Sequence, residues 1–437
     1  MKKSFIYLVF VLNLTLIGIL WWHGSSFYLF SSYPGSTLIA YGRLFGLLGE
    51  LCIALQLVLI GRIAFIEQIF GHDKLNRIHR YIGYGIALFL LGHPLLIIFG
   101  YDRENSVSFW SQFMTFLTSW NDMLYALIAL CIFCLVIFLS LPKIRRKLRY
   151  ETWYFTHLLM YIAIVLVIQH QTNFGDFAGY QNWIYYWYVL NYGALGLLVL
   201  YRFARPLWNL YRYRFAVTRV EKENDQVVSL YISGRHLEKF TFEPGQFANL
   251  TFLKPSWWFS HPFSFSAAPN GKSIRVTVKS SGDYTNKIAQ LPLGTKVLLD
   301  GPLGAFTAAK SKTNKFLFLA GGIGITPIRA LIEQLSKDGK DIVLLYANRT
   351  PRDEVFGSEL RDMEHRYHFI YSQIAEEDAG GFETGRINEE KIRRLVPDFM
   401  ERDIYMCGPA PMIKSLNTLV QTMGIPASHV HYEIFSY

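Results

Sequence analysis

Apolar residues run in six long stretches over the first 205 positions, at about 5–22, 38–61, 78–100, 122–141, 152–170 and 183–203. Each is close to the roughly 20 residues that a helix needs to cross a bilayer. None carries a polar stripe of the kind that lines a channel. After residue 214 the pattern changes to short alternating runs, FAVTRVEK, QVVSLYIS, FANLTFL and SIRVTVKS, which predict antiparallel strands of a small barrel. From 315 the order is strand, glycine-rich turn, helix, strand: KFLFLA, GGIGITP, IRALIEQLSKDG, DIVLLYA. That is a βαβ unit of a parallel sheet. The expected fold class is multi-domain α + β. A six-helix transmembrane bundle covers 1–207, an antiparallel β-barrel 208–310 and an α/β nucleotide-binding domain with a parallel sheet 311–437.

Ionisable residues inside the apolar stretches are costly, which makes them functional candidates. The third stretch holds His79 and His93, fourteen residues apart, and the fifth holds His157 and His170, thirteen apart. Fourteen residues of helix rise roughly 20 Å and return to within roughly 40° of the same face. Two such helices can clamp two flat cofactors, one above the other, and haem iron takes two axial imidazoles. The expectation is two stacked b-type haems, ligated by His79 with His157 and by His93 with His170. Thirteen residues turn through about 220° beyond whole turns, so His157 and His170 should face apart. A π-bulge or bend in span 5 is expected to repair this. Arg43 stands at one end of span 2, either to meet a haem propionate or the acceptor or to snorkel to the interface. Glu50, deeper in that span, reads as a neutral carboxyl, a paired one or a proton route.

Charge sets the orientation. Lys2 and Lys3 precede span 1; Arg62, Lys74, Arg77 and Arg80 lie around the link between spans 2 and 3; KIRRKLR joins spans 4 and 5; Arg202, Arg205, Arg212 and Arg214 follow span 6. The other links hold one basic residue, Arg103. Under the positive-inside rule both termini and the C-terminal half are cytoplasmic, in a multi-pass protein of the cell (plasma or inner) membrane. A cleaved secretory leader is the alternative for the first stretch. The same loops account for the net charge of +10 without nucleic acid as a partner. Cys52, Cys131, Cys134 and Cys407 make no disulfide framework, and the Cys131/Cys134 pair, inside span 4, reads as packing.

Gly321–Pro327 follows a strand and opens a helix, so backbone N–H groups and the helix dipole can meet a pyrophosphate. The next strand ends in Asn348-Arg349-Thr350. A basic residue there meets the 2′-phosphate of NADP, so Arg349 favours NADPH, with Arg352 a helper.

These residues carry a resemblance. The C-terminal half resembles the ferredoxin–NADP reductase family: His261-Pro262-Phe263-Ser264 stands at its flavin-binding Arg-x-Tyr-Ser, in the form found in NADPH oxidases and ferric reductases. Pro244–Phe247, Lys279 with Gly282-Asp283-Tyr284-Thr285, Asp300–Gly304, Gly321–Pro327, Cys407-Gly408-Pro409 and the near-terminal Glu433-Ile434-Phe435 follow in the family's order. With the six spans and four histidines, the resemblance covers nearly the whole chain.

The resemblance implies FAD in the barrel domain, with Phe263 on the isoalloxazine and Ser264 near its reactive edge. It implies that His261, Pro262, Lys279 and residues 282–285 hold FAD, the last five at its phosphates. Gly321, Gly322, Gly324, Thr326 and Pro327 would cradle the NADPH pyrophosphate, with Cys407, Gly408, Pro409 and Glu433 near the nicotinamide and Phe435 over the flavin. His261 replaces the family's arginine, so that charge must come from elsewhere. Oxidases of the family link an outer arginine and a histidine beyond the outer haem ligand with oxygen reduction; Arg43 matches the first, while Ile97 stands at the second. The expected activity is a transmembrane NADPH oxidase that passes electrons through FAD and two haems to oxygen, giving superoxide. The alternatives are a ferric or other metal reductase of the same build, acting on a ferric chelate, and a cytochrome b that hands electrons to a partner protein. No obligate protein partner is expected.

Overall fold

The computed structural model describes residues 2–120, 122–173, 175–177, 180–255, 257, 259–363, 365–375 and 382–435. Six helices are long and apolar enough to cross a membrane. They are span 1 (Lys2–Phe30), span 2 (Ser36–Ile60), span 3 (His72–Glu104), span 4 (Met123–Ser140), span 5 (Tyr150–Asn173) and span 6 (Gln181–Leu198). Spans 1 and 3 run well past the apolar windows of the sequence, because polar flanks such as Lys74 and Asp102 keep helical hydrogen bonding beyond the hydrocarbon. Span 3 also continues through Pro94, whose missing N–H costs one backbone bond. Small and branched residues seat the helices on each other: Ala54, Ile86, Ala129, Ala163 and Ala194, one from each of spans 2 to 6, share one buried cluster.

Span 5 corrects the expected bulge. Its described residues form one α-helix, with no π turn; the π turn lies instead at Val199–Ala204, just after span 6.

The chain divides into two compact units, Met1–Ile63 with Asp73–Leu200, and Ala64–His72 with Tyr201–Tyr437. A short helix between spans 2 and 3, Ala64–Phe70, therefore belongs to the second unit, where Lys310 Nζ donates to the Gln68 carbonyl at 2.7 Å.

In the second unit the predicted strands form as β1 (Ala216–Lys222), β2 (Val227–Ser233), β3 (Phe247–Phe252) and β5 (Ile274–Lys279). Two more join them: β4 (His261–Ser264) and β6 (Val297–Leu303). They make two antiparallel sheets, β1-β2-β5 and β4-β3-β6, stitched by bridges Ala216 to Lys296 and Phe265 to Val276. Phe215, Leu230, Leu250, Phe252, Phe265 and Leu299 fill the interior.

Six parallel strands follow: β7 (Lys315–Gly321), β8 (Asp341–Asn348), β9 (Arg366–Tyr371), β10 (Glu383–Thr384), β11 (Asp403–Pro409) and β12 (Val430–Phe435), in the order β10-β9-β8-β7-β11-β12. Alternation in β7 explains why its run is apolar throughout. Phe316, Phe318 and Ala320 face the helix Ile325–Lys337, while Leu317 and Leu319 face the side packed by Ile392, Ile413 and Leu416. A parallel sheet is covered on both faces, so both parities are apolar. Arg275 of β5 ties barrel to sheet domain, donating to Glu359 at 3.0 and 2.8 Å and to Glu223 at 2.7 Å.

Candidate functional site

The membrane unit brings its four histidines together as two pairs. The rings of His79 and His157 lie 6.3 Å apart, centre to centre, and those of His93 and His170 6.4 Å. Two imidazoles on one iron, each with its nitrogen roughly 2 Å from the metal and its ring centre roughly 1 Å behind, have centres roughly 6 Å apart. Both pairs fit a haem iron by this measure. Among the described residues no cluster of three or more His, Cys, Asp or Glu suits a metal ion.

The rings are also oriented. His93 Nδ1 sits 2.8 Å from the Gly42 carbonyl, which can only accept; Nδ1 therefore carries the proton and Nε2 keeps its lone pair. His79 Nδ1 meets Gln56 Oε1 at 2.5 Å, and Gln56 Nε2 donates to the His79 carbonyl at 2.8 Å, which fixes the amide. His157 Nδ1 lies 3.4 Å from Ser140 Oγ, itself held by Trp153 Nε1 at 3.1 Å. Partners of this kind set the tautomer of a ligating histidine. Gly46 makes room for the ring: a Cβ there would stand 2.9 Å from His93 Nδ1. Sequence reasoning passed over Gln56, Ser140, Gly42 and Gly46. The one available signal was the spacing of Gly42, Gly46 and Gly49, which puts small residues along one side of span 2.

A cavity of about 250 Å³ opens beside the second pair, lined by His93, His170, Arg43, Glu50 and Ile97 among others. Arg43 is mostly buried. Its guanidinium turns to Asp176 at 3.6 Å and donates to the hydroxyls of Tyr28 and Tyr101 at 3.3 and 3.4 Å. Asp176 in turn accepts from Ser25. Ile97 packs against Gly42.

In the barrel, the rings of His261 and Tyr284 lie 3.8 Å apart, centre to centre, tilted by 31°, and Trp257 meets Tyr284 edge-on at 5.0 Å. The Tyr284 hydroxyl is buried without a hydrogen-bond partner among the described residues, an orphan that a bound group would satisfy. Phe263 sits in the barrel core and Ser264 is buried beside it, paired with Phe247 across β3. Pro262 is exposed, as are Gly282 and Asp283; Lys279 is half-buried. Thr285 is spent on shaping its turn, accepting from the Ser281 and Gly282 N–H groups at 2.9 and 3.1 Å.

In the sheet domain β7 runs into a 3-10 turn at Gly322–Gly324 and then the helix Ile325–Lys337, which no side chain caps. Ile325 N–H is taken by the Gly322 and Ile323 carbonyls and Pro327 has no N–H, so what this end offers a ligand is mainly its uncapped positive dipole. Gly322 holds a φ of +51°, and its carbonyl accepts from Tyr346 Oη at 3.2 Å. Gly324 must lack a side chain, since a Cβ would strike the Cys407 carbonyl and stand 2.7 Å from Gly408 N. Thr326 Oγ1 donates to the Ile323 carbonyl at 3.0 Å, and Pro327 lies buried in the helix's first turn. Arg349 is exposed just beyond β8, and Arg352 is exposed nearby. On the other flank of β7, register pairs Cys407 with Glu433 and Pro409 with Phe435. Cys407 is fully buried, and burial together with the Glu433 carboxylate pushes its thiol well above the usual range. It stays protonated, a wall rather than a nucleophile.

Three family models match in series. A ferric reductase like transmembrane component covers residues 45–168, an FAD-binding domain 212–307 and an oxidoreductase NAD-binding domain 318–418. The three matches lie in successive segments of the chain, a membrane component followed by flavin and nicotinamide modules. Among curated relatives, a glycine betaine monooxygenase reductase subunit from Chromohalobacter salexigens is 28% identical over 241 residues, 52% of this chain and 65% of its own length. A flavohemoprotein from Chromobacterium violaceum is 28% identical, covering 51% and 60%, and an NADPH oxidoreductase from Mycobacterium tuberculosis 27%, covering 53% and 62%. The chain spans less than two thirds of the length of these relatives. Among solved structures, the flavohem-like FAD/NAD-binding domain of a nitric oxide dioxygenase from Vibrio cholerae aligns with 51% of this chain and 98% of its own, at 21% identity and a TM-score of 0.45. The ferric-reductase-like match contains His79, His93 and His157; His170 lies two residues beyond its end.

Proposed function

We propose that this chain is an NADPH-dependent transmembrane oxidoreductase that delivers electrons across the membrane to oxygen, producing superoxide. The observation that carries it is the pair of histidine pairs, at 6.3 and 6.4 Å, in one chain with an FAD-binding and an NAD-binding domain. Bound FAD would divide the two electrons of a hydride, and bound haems would carry them singly. The protein's own part is to hold these groups. Lys279 and the 282–285 turn would take the FAD phosphates, Gly321–Pro327 the NADPH pyrophosphate and Arg349 its 2′-phosphate. His79 with His157, and His93 with His170, would hold the two haems. The dehydrogenase half is assigned to the cytoplasmic side. The basic links support this. The modules are taken as 1–207, 208–310 and 311–437.

Oxygen suits the outer site because it is small, uncharged and soluble in the bilayer. If His93 and His170 both hold a bound haem iron, no coordination position would stay open, and transfer to oxygen would be outer-sphere. A ferric reductase is the second reading. Ile97, an aliphatic residue in the cavity wall where oxidases of the family carry a histidine, favours it, as does the family model that matches the spans. The test is NADPH oxidation by the pure protein under air and under nitrogen, with ferric chelate added or withheld. We expect oxidation under air without iron, with a signal sensitive to superoxide dismutase. Oxidation only when ferric chelate is present contradicts the oxidase reading and establishes the other.

A further inference from the structure

Burying a carboxyl group in an apolar bundle costs several kcal/mol unless it is hydrogen-bonded, so its presence asks for a use. Glu50 of span 2 is 3% exposed. Its Oε2 accepts from Gln171 Nε2 at 2.5 Å, and Gln171 Oε1 accepts from Trp187 Nε1 at 2.9 Å. The three side chains link span 2, span 5 and span 6, and all three line the cavity that holds His93 and His170. Gln171 directly follows His170, and both lie in the last turn of span 5, which ends at Asn173. The last turn of a helix has carbonyls without helical partners and opens most readily.

We infer that Glu50 and Trp187, acting through Gln171, form a positioning strut for His170. The inference rests on the bis-histidine reading above. An amide has one accepting and one donating end. Gln171 meets both neighbours only with Nε2 toward span 2 and Oε1 toward span 6, and the two bonds fix its side chain between them. Because Gln171 directly follows His170 in the last turn of span 5, holding it from two sides holds that turn. Glu50 is therefore a positioning residue, placed where one-sided support would let the turn swing.

Electron paramagnetic resonance of the purified holoprotein tests this, since low-spin ferric signals report the relative orientation of the two axial imidazoles. The outer signal is the one lost in His93→Leu. Glu50→Leu and Trp187→Phe should each shift that signal and weaken haem retention at that level about 10-fold or more, the usual range for groups that orient a ligand. The inner signal and the flavin content should stay as in the wild type, and Glu50→Gln, which keeps an accepting oxygen, should restore the outer signal. An outer signal unmoved in both Glu50→Leu and Trp187→Phe overturns the strut, as does a Glu50→Gln variant no better than Glu50→Leu. If Glu50→Leu does not fold, Trp187→Phe decides alone. A wild-type protein with no signal dependent on His93 overturns the bis-histidine reading and the strut with it.

Discussion

Arg349 is the residue on which coenzyme choice turns in this account. It stands exposed just beyond β8, beside a glycine turn that opens a helix with no side-chain cap. A hydrogen bond to a charged phosphate is worth about 1.5–3 kcal/mol, or about 10–150-fold in affinity. Arg349→Ala should weaken NADPH by that factor and leave NADH nearly unchanged, measured as dissociation constants by quenching of flavin fluorescence. Equal losses for the two coenzymes would remove Arg349 from 2′-phosphate recognition. Arg349 stands out in the sequence because it follows the strand after a glycine turn, although a solvated loop arginine has the same look. The four histidines were legible for a related reason, an ionisable group in apolar surroundings. Gln56, Ser140, Gln171 and Trp187 were not: each is an ordinary helix residue until a neighbouring span brings its partner within 3.5 Å.

At the scale of elements, periodicity carried most of the fold. The six spans, four barrel strands and the β7–helix–β8 unit follow from runs of three distinct periods. Several elements escaped it, and two of them show why. β4 is four residues long and carries Pro262, too short and too broken to alternate. Ala64–Phe70 has the composition of any amphipathic turn, and only packing assigns it to the second unit. The parallel sheet also depends on a polar knot that no pattern announces. Arg402, with a fully buried side chain, donates Nε and Nη2 to Asp398 at 2.8 and 2.7 Å, Nη2 to Asp341 at 2.7 Å and Nη1 to the Phe316 carbonyl at 3.2 Å. Arg402's hydrogen bonds hold the Asp398 carboxyl down to about 2. An unfolded aspartate titrates near pH ~3.9, so this contribution is complete above that value and is lost as pH falls toward about 2. Arg402→Met should cost about 1.5–3 kcal/mol of local stability at neutral pH. Hydrogen exchange in β7, β8 and β11 should read that loss, and the acid sensitivity of those strands should fall with it. Unchanged protection would show the knot to be neutral.

At the scale of the molecule, the sequence divides where its periodicity does, near residue 205, and the family matches divide with it. A reductase of nucleotide and flavin type needs no membrane to bind NADPH, and a six-span bundle needs no nucleotide to bind haem. On the proposed reading, joining them in one chain gives electrons a route from one side of a membrane to the other, and the steps beyond the flavin depend on the histidine pairs. The most direct measurement is therefore the haem content of the fully loaded protein, per chain and per flavin, with its anaerobic reduction by NADPH. Two low-spin haems per chain and per FAD, both reduced by NADPH under nitrogen, are predicted. One haem per chain, or a second haem that NADPH leaves oxidised, would contradict the account.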